Sequence, residues 1–341
     1  MKNHHQTWPC ISSSSPFTSL PLPKLTASES SPAYSFRSVR LCSRPPPSKP
    51  PPSPSLETNF SSLPYDVLTK IGASFDQPNL QSASLVCRSW CEALRPLREA
   101  MVMLMWGKRF KHGKGGVCRN MEKALDMFTK AAARGSALAM VDAGLIYWET
   151  GQKVKALDFY LMAAHLGNPS AQCNLGISYL QVEPPNTEQA LKWLYKASKG
   201  GNVRAQYQLA LFLHRDGGSR SNIREAVKWY MKAAEGGYVR AMYNTSLCYS
   251  LGEGMARNHQ IARKWMKRAA DRGHSKAQFE HGLALYSDGD MIKALVYLEL
   301  ASRAGEKGAA RVKNVIVHRL SAASQNHAMH LANSWRALPS N

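Results

Sequence analysis

Small residues recur at fixed spacing over the C-terminal two-thirds of the chain. With Ala124 counted as position 0, an aromatic or large apolar residue stands at +4, Ala at +7, Ala or Ser at +8, Gly at +11 and Ala at +15. A small residue often follows at +20, with Tyr or Leu at +23. The pattern restarts at Ala156, Ala190, Ala226, Ala262 and Ala294, in steps of 32, 34, 36, 36 and 32 residues. Its glycines are Gly135, Gly167, Gly201, Gly237, Gly273 and Gly305. The length differences fall in Val182–Thr187, Asp216–Asn222 and Gly252–Asn258, which read as inter-repeat loops.

Such a period predicts a helix pair per unit. Ala at 0, +7 and +8 lets two helices approach closely. The Gly at +11 stands where the first helix must stop in a left-handed cap. Ala at +15 and the small residue at +20 line the tight face of the second helix. One pair cannot bury its own core, so successive pairs must stack into a solenoid.

Upstream, a different pattern occupies residues 60–98. Pro64 fits a first helical turn opened by Ser62, with Asp66 adding favourable charge there. Val67, Leu68 and Ile71 then share one face. Pro78-Asn79 restarts the chain, and Leu85, Val86 and Trp90 make a second apolar face. A unit of about 40 residues is too small to stand alone, so apolar surface beyond its own core implies a docking surface.

The string Leu63-Pro64-Tyr-Asp66-Val67-Leu68-Thr-Lys-Ile71, followed by Leu85-Val86-Cys87-Arg88-Ser-Trp90, resembles the F-box family. The resemblance implies a trihelical hook that binds a Skp-type adaptor and, through it, a cullin scaffold. It assigns Leu63, Pro64, Leu68, Ile71, Leu80, Leu85, Val86, Cys87 and Trp90 as adaptor contacts or their supports. One departure is Gly72-Ala73-Ser74-Phe75, where the family usually carries bulkier apolar residues, which implies a weaker adaptor interface. The other reading of this segment is a small helical cap on the solenoid.

The unit Ala226-Val-Lys-Trp229-Tyr230-Met-Lys232-Ala233-Ala234-Glu-Gly-Gly237-Tyr-Val-Arg-Ala241 resembles the Sel-like repeats, relatives of the tetratricopeptide repeat. That resemblance covers residues 120–310 and implies a protein-binding scaffold with no chemistry of its own. Unit six drifts at Asn314, as a terminal unit should. Gly107-Lys-Arg-Phe110 keeps the Gly-x-x-aromatic spacing of a second helix.

Composition changes the picture mainly at the N-terminus. Residues 1–55 contain 14 Ser and 12 Pro but one acid, Glu29, a composition that cannot bury enough surface to offset chain entropy. A disordered segment is expected; the Ser-rich, acid-poor text also fits an organelle transit peptide, the less favoured alternative. The net charge of +21 divides as +4 over residues 1–60, zero over 61–106 and +17 over 107–341. The basic solenoid therefore suits acidic protein surfaces; nucleic acid is the less favoured partner. Seven scattered cysteines with no CxxC pair argue against a disulfide framework or zinc knuckle and for a reducing cytosolic or nuclear setting. No run of about 18 apolar residues occurs to cross a membrane.

Three rows within the repeats are candidates for function. Position +3 reads Met127, Phe159, Trp193, Trp229, Trp265 and Tyr297; it could stack bases, but six copies at core spacing favour packing. Position +18 reads Asp142, Asn174, Gln208, Asn244 and Glu280, a polar stripe between two apolar sets that could hold a target's backbone or be an ordinary solvated face. The pairs Lys192/Lys196, Lys228/Lys232 and Lys264/Arg268 form a basic ridge, which could seat an acidic partner or be solvated. His112-Gly113-Lys114-Gly115-Gly116 lacks phosphate-loop spacing, and His327 with His330 has no nearby carboxylate. No nucleophile–His–acid set emerges, so neither enzyme, cofactor, metal nor small-molecule substrate is expected.

The expected architecture is all-α: a disordered segment over 1–58, an F-box over 59–98, a linking half-repeat over 99–119, a Sel-like solenoid over 120–319 and a basic tail over 320–341. The expected function is a target-recruiting adaptor of a Skp–cullin–F-box ubiquitin ligase in cytosol or nucleus, with a non-degradative scaffold as the alternative.

Overall fold

A computed structural model describes residues 63–72, 75, 77–215 and 220–339. The expectations for residues 1–58 and for the Ser62 cap lie outside the described residues. Within them the chain is helical, with no strand.

The hook comprises α1 (Tyr65–Gly72), α2 (Gln77–Ala83), α3 (Arg88–Ala93) and the first turns of α4 (Arg95–His112). Leu68, Leu80, Leu94 and Leu97 are its buried centre. Gly72 faces inward: a Cβ there would stand 2.4 Å from Leu94 Cδ2 and 3.2 Å from Leu97 Cδ1. At Gly72 the departure from bulkier family residues therefore suits the close α1–α4 approach, where a larger side chain would have to displace Leu94.

The repeats are the pairs α5 (Met121–Ala133) and α6 (Ala137–Glu149), α7 (Lys153–His165) and α8 (Pro169–Gln181), α9 (Thr187–Lys199) and α10 (Val203–Arg215), α11 (Arg220–Glu235) and α12 (Val239–Leu251), α13 (His259–Asp271) and α14 (Ser275–Ser287), and α15 (Met291–Arg303) and α16 (Ala309–Val317). Every Ala at 0 and +7 is buried. The small residue at +20 receives the +4 side chain of the following unit. A Cβ at Gly144 would meet Tyr160 at 2.5 Å, one at Gly176 would meet Leu194 at 2.8 Å, and one at Gly282 would meet Leu298 at 2.9 Å. Gly107 receives Phe128 in the same way, at 2.5 Å, so α4 stands in the place of a second helix and joins hook to solenoid without a hinge. Ala100 and Leu104 of α4 belong to the first repeat's core, and Glu99 accepts from Arg134 Nε at 3.2 Å.

The first helices stop as their glycines require. Gly201 has φ +81, its N–H donates to Ser198 O, and the next N–H, of Asn202, donates to Ala197 O. These are the two bonds of a left-handed C-cap. Nothing lies within 4 Å of a Cβ at Gly201, so the constraint is in the backbone alone. Gly201→Val should cost about 1–3 kcal/mol and lower the melting temperature by several degrees; an unchanged melting curve would contradict the cap.

Residues 320–341 were expected as a basic tail; the structure differs. Ala322–Ser334 form α17, which packs on α15 through Ala328 and Ala332. Arg303 donates to Asn333 Oδ1 at 2.6 Å, and Leu338 N to Asp271 O at 2.9 Å. The physical reason is the small pair at i and i+4, which lets a helix of mixed composition lie close on its neighbour. Beneath it Glu299 is buried between Arg303 at 2.8 Å and Lys313 at 3.0 Å.

Candidate functional site: the hook surface and the two faces of the solenoid

The nine hook residues divide into two sets. Leu68 and Leu80 are buried and hold the hook together. Pro64, Ile71, Leu85 and Val86 are exposed, and Leu63, Cys87 and Trp90 are half-buried. Leu85 and Val86 stand in the turn between α2 and α3, off the helix that carries Trp90. At 86 % and 62 % exposed they are large apolar side chains that the fold leaves in water. Tyr65 is also exposed, at 55 %, and its hydroxyl donates to Glu92 O at 3.1 Å.

The polar stripe lies on one face of the second helices, and all five of its residues are half-buried. Neighbouring units already engage part of it. Asp142 pairs with Lys111 at 3.5 Å, both side chains less than a fifth exposed. Asn174 Oδ1 accepts from Arg204 at 3.4 Å, and Glu280 accepts from the Tyr243 hydroxyl at 2.6 Å. Asn244 sits against the hydroxyls of Tyr207 and Tyr230. Through Asp142 and Glu280 the stripe thus joins adjacent units side to side.

The opposite face carries the ridge and the aromatic row together. Trp193 and Trp229 are buried, whereas Met127, Phe159, Trp265 and Tyr297 are half-buried. Lys196 lies 5.2 Å over the Trp193 ring, Lys232 4.6 Å over Trp229 and Arg268 4.7 Å over Trp265. Half of the ridge is therefore held by cation–π contact. Lys192, Lys228 and Lys264 remain exposed.

Two internal supports escaped sequence reasoning. Gln172, Gln206 and Gln278, all at +16, each donate at 3.2 Å to the carbonyl at +8, satisfying an orphan acceptor at the end of the first helix. The signal was a Gln repeated at one position. The other support is His274, the N-cap of α14, whose Nδ1 accepts from Ala277 N at 3.2 Å. Other units use Ser136 or Asn168 there. Burial, with Arg240 and Lys276 adding to it, pushes His274 down from 6.5 to about 4. A depressed histidine contributes stability that is present above its unfolded pKa and is lost as pH falls toward the folded one. The wild-type melting temperature should therefore fall between pH 6.5 and about 4. His274→Asn, which caps without titrating, should remove part of that slope; equal slopes in both proteins would contradict the cap.

A three-helix hook continuous with an α/α solenoid defines a helical-repeat protein. Residues 60–99 match the F-box domain, and 100–136, 138–168, 169–202, 203–238, 239–274 and 275–306 each match the Sel1 repeat. An F-box protein of Arabidopsis thaliana is 65 % identical over 285 residues, spanning 82 % of this chain and 81 % of the relative. The chain belongs to the F-box proteins with Sel1 repeats. A protective antigen of uropathogenic Escherichia coli displaying an SLR fold superposes with a TM-score of 0.61 at 25 % identity, covering 80 % of this chain and 61 % of that one. A Sel1 repeat protein from Oxalobacter formigenes gives 0.57 at 26 % identity, covering 74 % and 76 %.

The matched repeats begin at residue 100, so each pairs a helix bearing the small residue with the helix that fills it. The linking segment is thereby the first half of the first repeat, and α16 and α17 lie beyond the last. No helix among the described residues is long and apolar enough to cross a membrane.

Proposed function

We propose that this chain is the target-recruiting adaptor of a Skp–cullin–F-box ubiquitin ligase. The observation that carries the reading is the exposed apolar set of the hook, led by Leu85 and Val86. Exposed apolar side chains at positions matching the F-box pattern suit burial against a Skp-type partner, which links to a cullin. The solenoid then holds a target near the recruited ubiquitin-conjugating enzyme. Its contribution is local concentration, with no bond made or broken by this chain. Such a partner places the protein in cytosol or nucleus.

The target is assigned to the polar stripe, where rigid neighbours lower the entropic cost of seizing an extended peptide. Exposed lysines on the opposite ridge contribute about 0–1 kcal/mol each. Changing Asn174, Gln208 and Asn244 together to Ala should remove target capture at unchanged helical signal. Reversing Lys192, Lys228 and Lys264 to Glu should mainly slow association, with an effect that fades at high salt. Loss of the target from the ridge variant alone would reverse the assignment of faces.

A second reading, a non-degradative scaffold, draws on α4: the hook is continuous with the first repeat's core and could serve as its cap. Reconstitution with a purified Skp-type adaptor and cullin separates the two, since a cap would enter no such complex.

A further inference from the structure

The outward face of the second helices changes chemistry from one end of the solenoid to the other. At about 100° per residue, positions +14, +18, +21 and +25 fall within about 60° of one another, and this is the side those helices turn to solvent. Aligned through Gly107, the +14 row reads Met101, Leu138, Ser170, Arg204, Arg240 and Lys276. The hook-proximal end carries exposed apolar side chains, Leu138 at 46 % and Met105, one turn on from Met101, at 37 %, beside an Asp142 already paired with Lys111. The distal end is cationic, and Arg204, Arg240 and Lys276 are all exposed.

These cations have little to satisfy them among the described residues. Arg204 reaches Asn174 at 3.4 Å, a long bond to a neutral group. Arg240 and Lys276 make no hydrogen bond or ion pair among the described residues. The one acid on this face of α10, α12 and α14 is Glu280, and its Oε1 already takes the Tyr243 hydroxyl at 2.6 Å.

We propose that this face binds an extended acidic segment of a target, its carboxylates on Arg204, Arg240 and Lys276 and an apolar residue on Leu138 and Met105. The proposal rests on the reading that the solenoid's second helices hold the target, and it adds the chemistry and polarity of what they hold. Charge complementarity selects the occupant. The chain's own residues 1–60 carry six bases and two acids, so that segment shares the sign of the row and is not its ligand. RNA would gain nothing from the apolar end.

Spacing sharpens the class. Second helices of successive units touch at α4 and α6, α6 and α8, and α8 and α10; packed helices stand about 8–10 Å apart, and we extend that spacing to α12 and α14 because they repeat the same unit. An extended chain advances about 3.3 Å per residue. Successive cations therefore match acids about three residues apart, and the apolar anchor falls about six residues before the first acid.

The test uses the full chain and fluorescein-labelled peptides of about thirteen residues. Each carries a Leu-Trp pair at one end and Asp at every third position of the other half. Both chain directions are made, together with a peptide whose acids are moved to every second position. Fluorescence anisotropy should show binding in one direction, weaker for the shifted spacing. Replacing Arg204, Arg240 and Lys276 with Glu should weaken it about tenfold or more. Leu138→Asp with Met105→Asp should weaken the same peptide but leave unchanged one whose Leu-Trp is replaced by Ser-Ser. Circular dichroism checks that each variant keeps its helices, and the Lys192, Lys228 and Lys264 reversal serves as a charge-matched control that keeps the peptide.

Equal binding by the Arg204, Arg240 and Lys276 variant overturns the proposal. So does displacement of the peptide by an oligouridine that binds more tightly through the same three cations, an outcome that assigns the row to nucleic acid. Loss of adaptor capture with peptide binding intact would refute the ligase reading and leave this inference standing.

Discussion

Leu63→Ala combined with Leu85→Ala is expected to abolish capture of a Skp-type adaptor and to leave the helical signal of the solenoid intact. Leu85 is 86 % exposed in the turn before α3, and Leu63 is half-buried just ahead of α1. Neither belongs to the hook's buried centre of Leu80, Leu94 and Leu97. Truncating them therefore removes the proposed interface and little core. Apolar anchors of this kind cost about 2 kcal/mol or more when cut to Ala, roughly 30-fold in affinity each. Two together move a micromolar interaction out of reach of a pull-down. Leu80→Ala is the contrasting variant. It empties the core, so it should lose adaptor binding and melt the hook together. Undiminished adaptor binding by the double variant would remove the basis of the ligase reading.

Gly144→Leu should be the most damaging single change in the solenoid. The position faces Tyr160, whose ring carbons would stand 2.5, 2.8 and 3.2 Å from the new Cβ. Tyr160 is 2 % exposed, closed in by the small residues of two units, and has nowhere to turn. Overpacking of a close helix approach costs about 1–3 kcal/mol for added methylenes, and a Leu at this site should reach about 3 kcal/mol or more. Repeat arrays are held by nearest-neighbour interfaces, so the lesion cuts α6 from α7. Thermal unfolding should begin about 10 °C lower, at 2–4 °C per kcal/mol for about 200 residues. The junction of units three and four offers a natural comparison, since Ala210 stands at +20 where Tyr230 is the following +4 residue; Ala210→Gly should be far milder. A melting curve unmoved by Gly144→Leu would mean that the two helices do not meet there.

The helix pairs were legible because close packing forces Ala and Gly to fixed positions, and few residue types can take those places. The hook was legible for a related reason: its apolar anchors recur on turns of helix, and Leu68 and Leu80 stand inside as their spacing requires. What escaped was set by partners far away in sequence. α17 shows no apolar stripe, only Ala328 and Ala332 one turn apart, and its docking depends on the surface of α15. The phase of the repeats was ambiguous for the same reason, since either helix of a pair can be counted first until Phe128 is seen resting on Gly107. Partners of the stripe, such as Lys111 for Asp142 and Tyr243 for Glu280, lie 31 and 37 residues away. No local pattern announces them. The Gly72 departure reads as a weakness in sequence and as a fit in structure, because Leu94 lies behind it.

The central claim is that one chain bridges two partners through separate surfaces, and paired affinity capture tests it most directly. The full chain, its Leu63→Ala/Leu85→Ala variant and its Asn174→Ala/Gln208→Ala/Asn244→Ala variant are each captured from cells, and bound proteins are quantified by mass spectrometry. The account predicts that the wild type brings down adaptor, cullin and a target. The hook variant should keep the target and lose adaptor and cullin together, while the stripe variant does the reverse. A hook variant that keeps adaptor and cullin at wild-type levels, or surface variants that lose both partners at once while still folded, would contradict it.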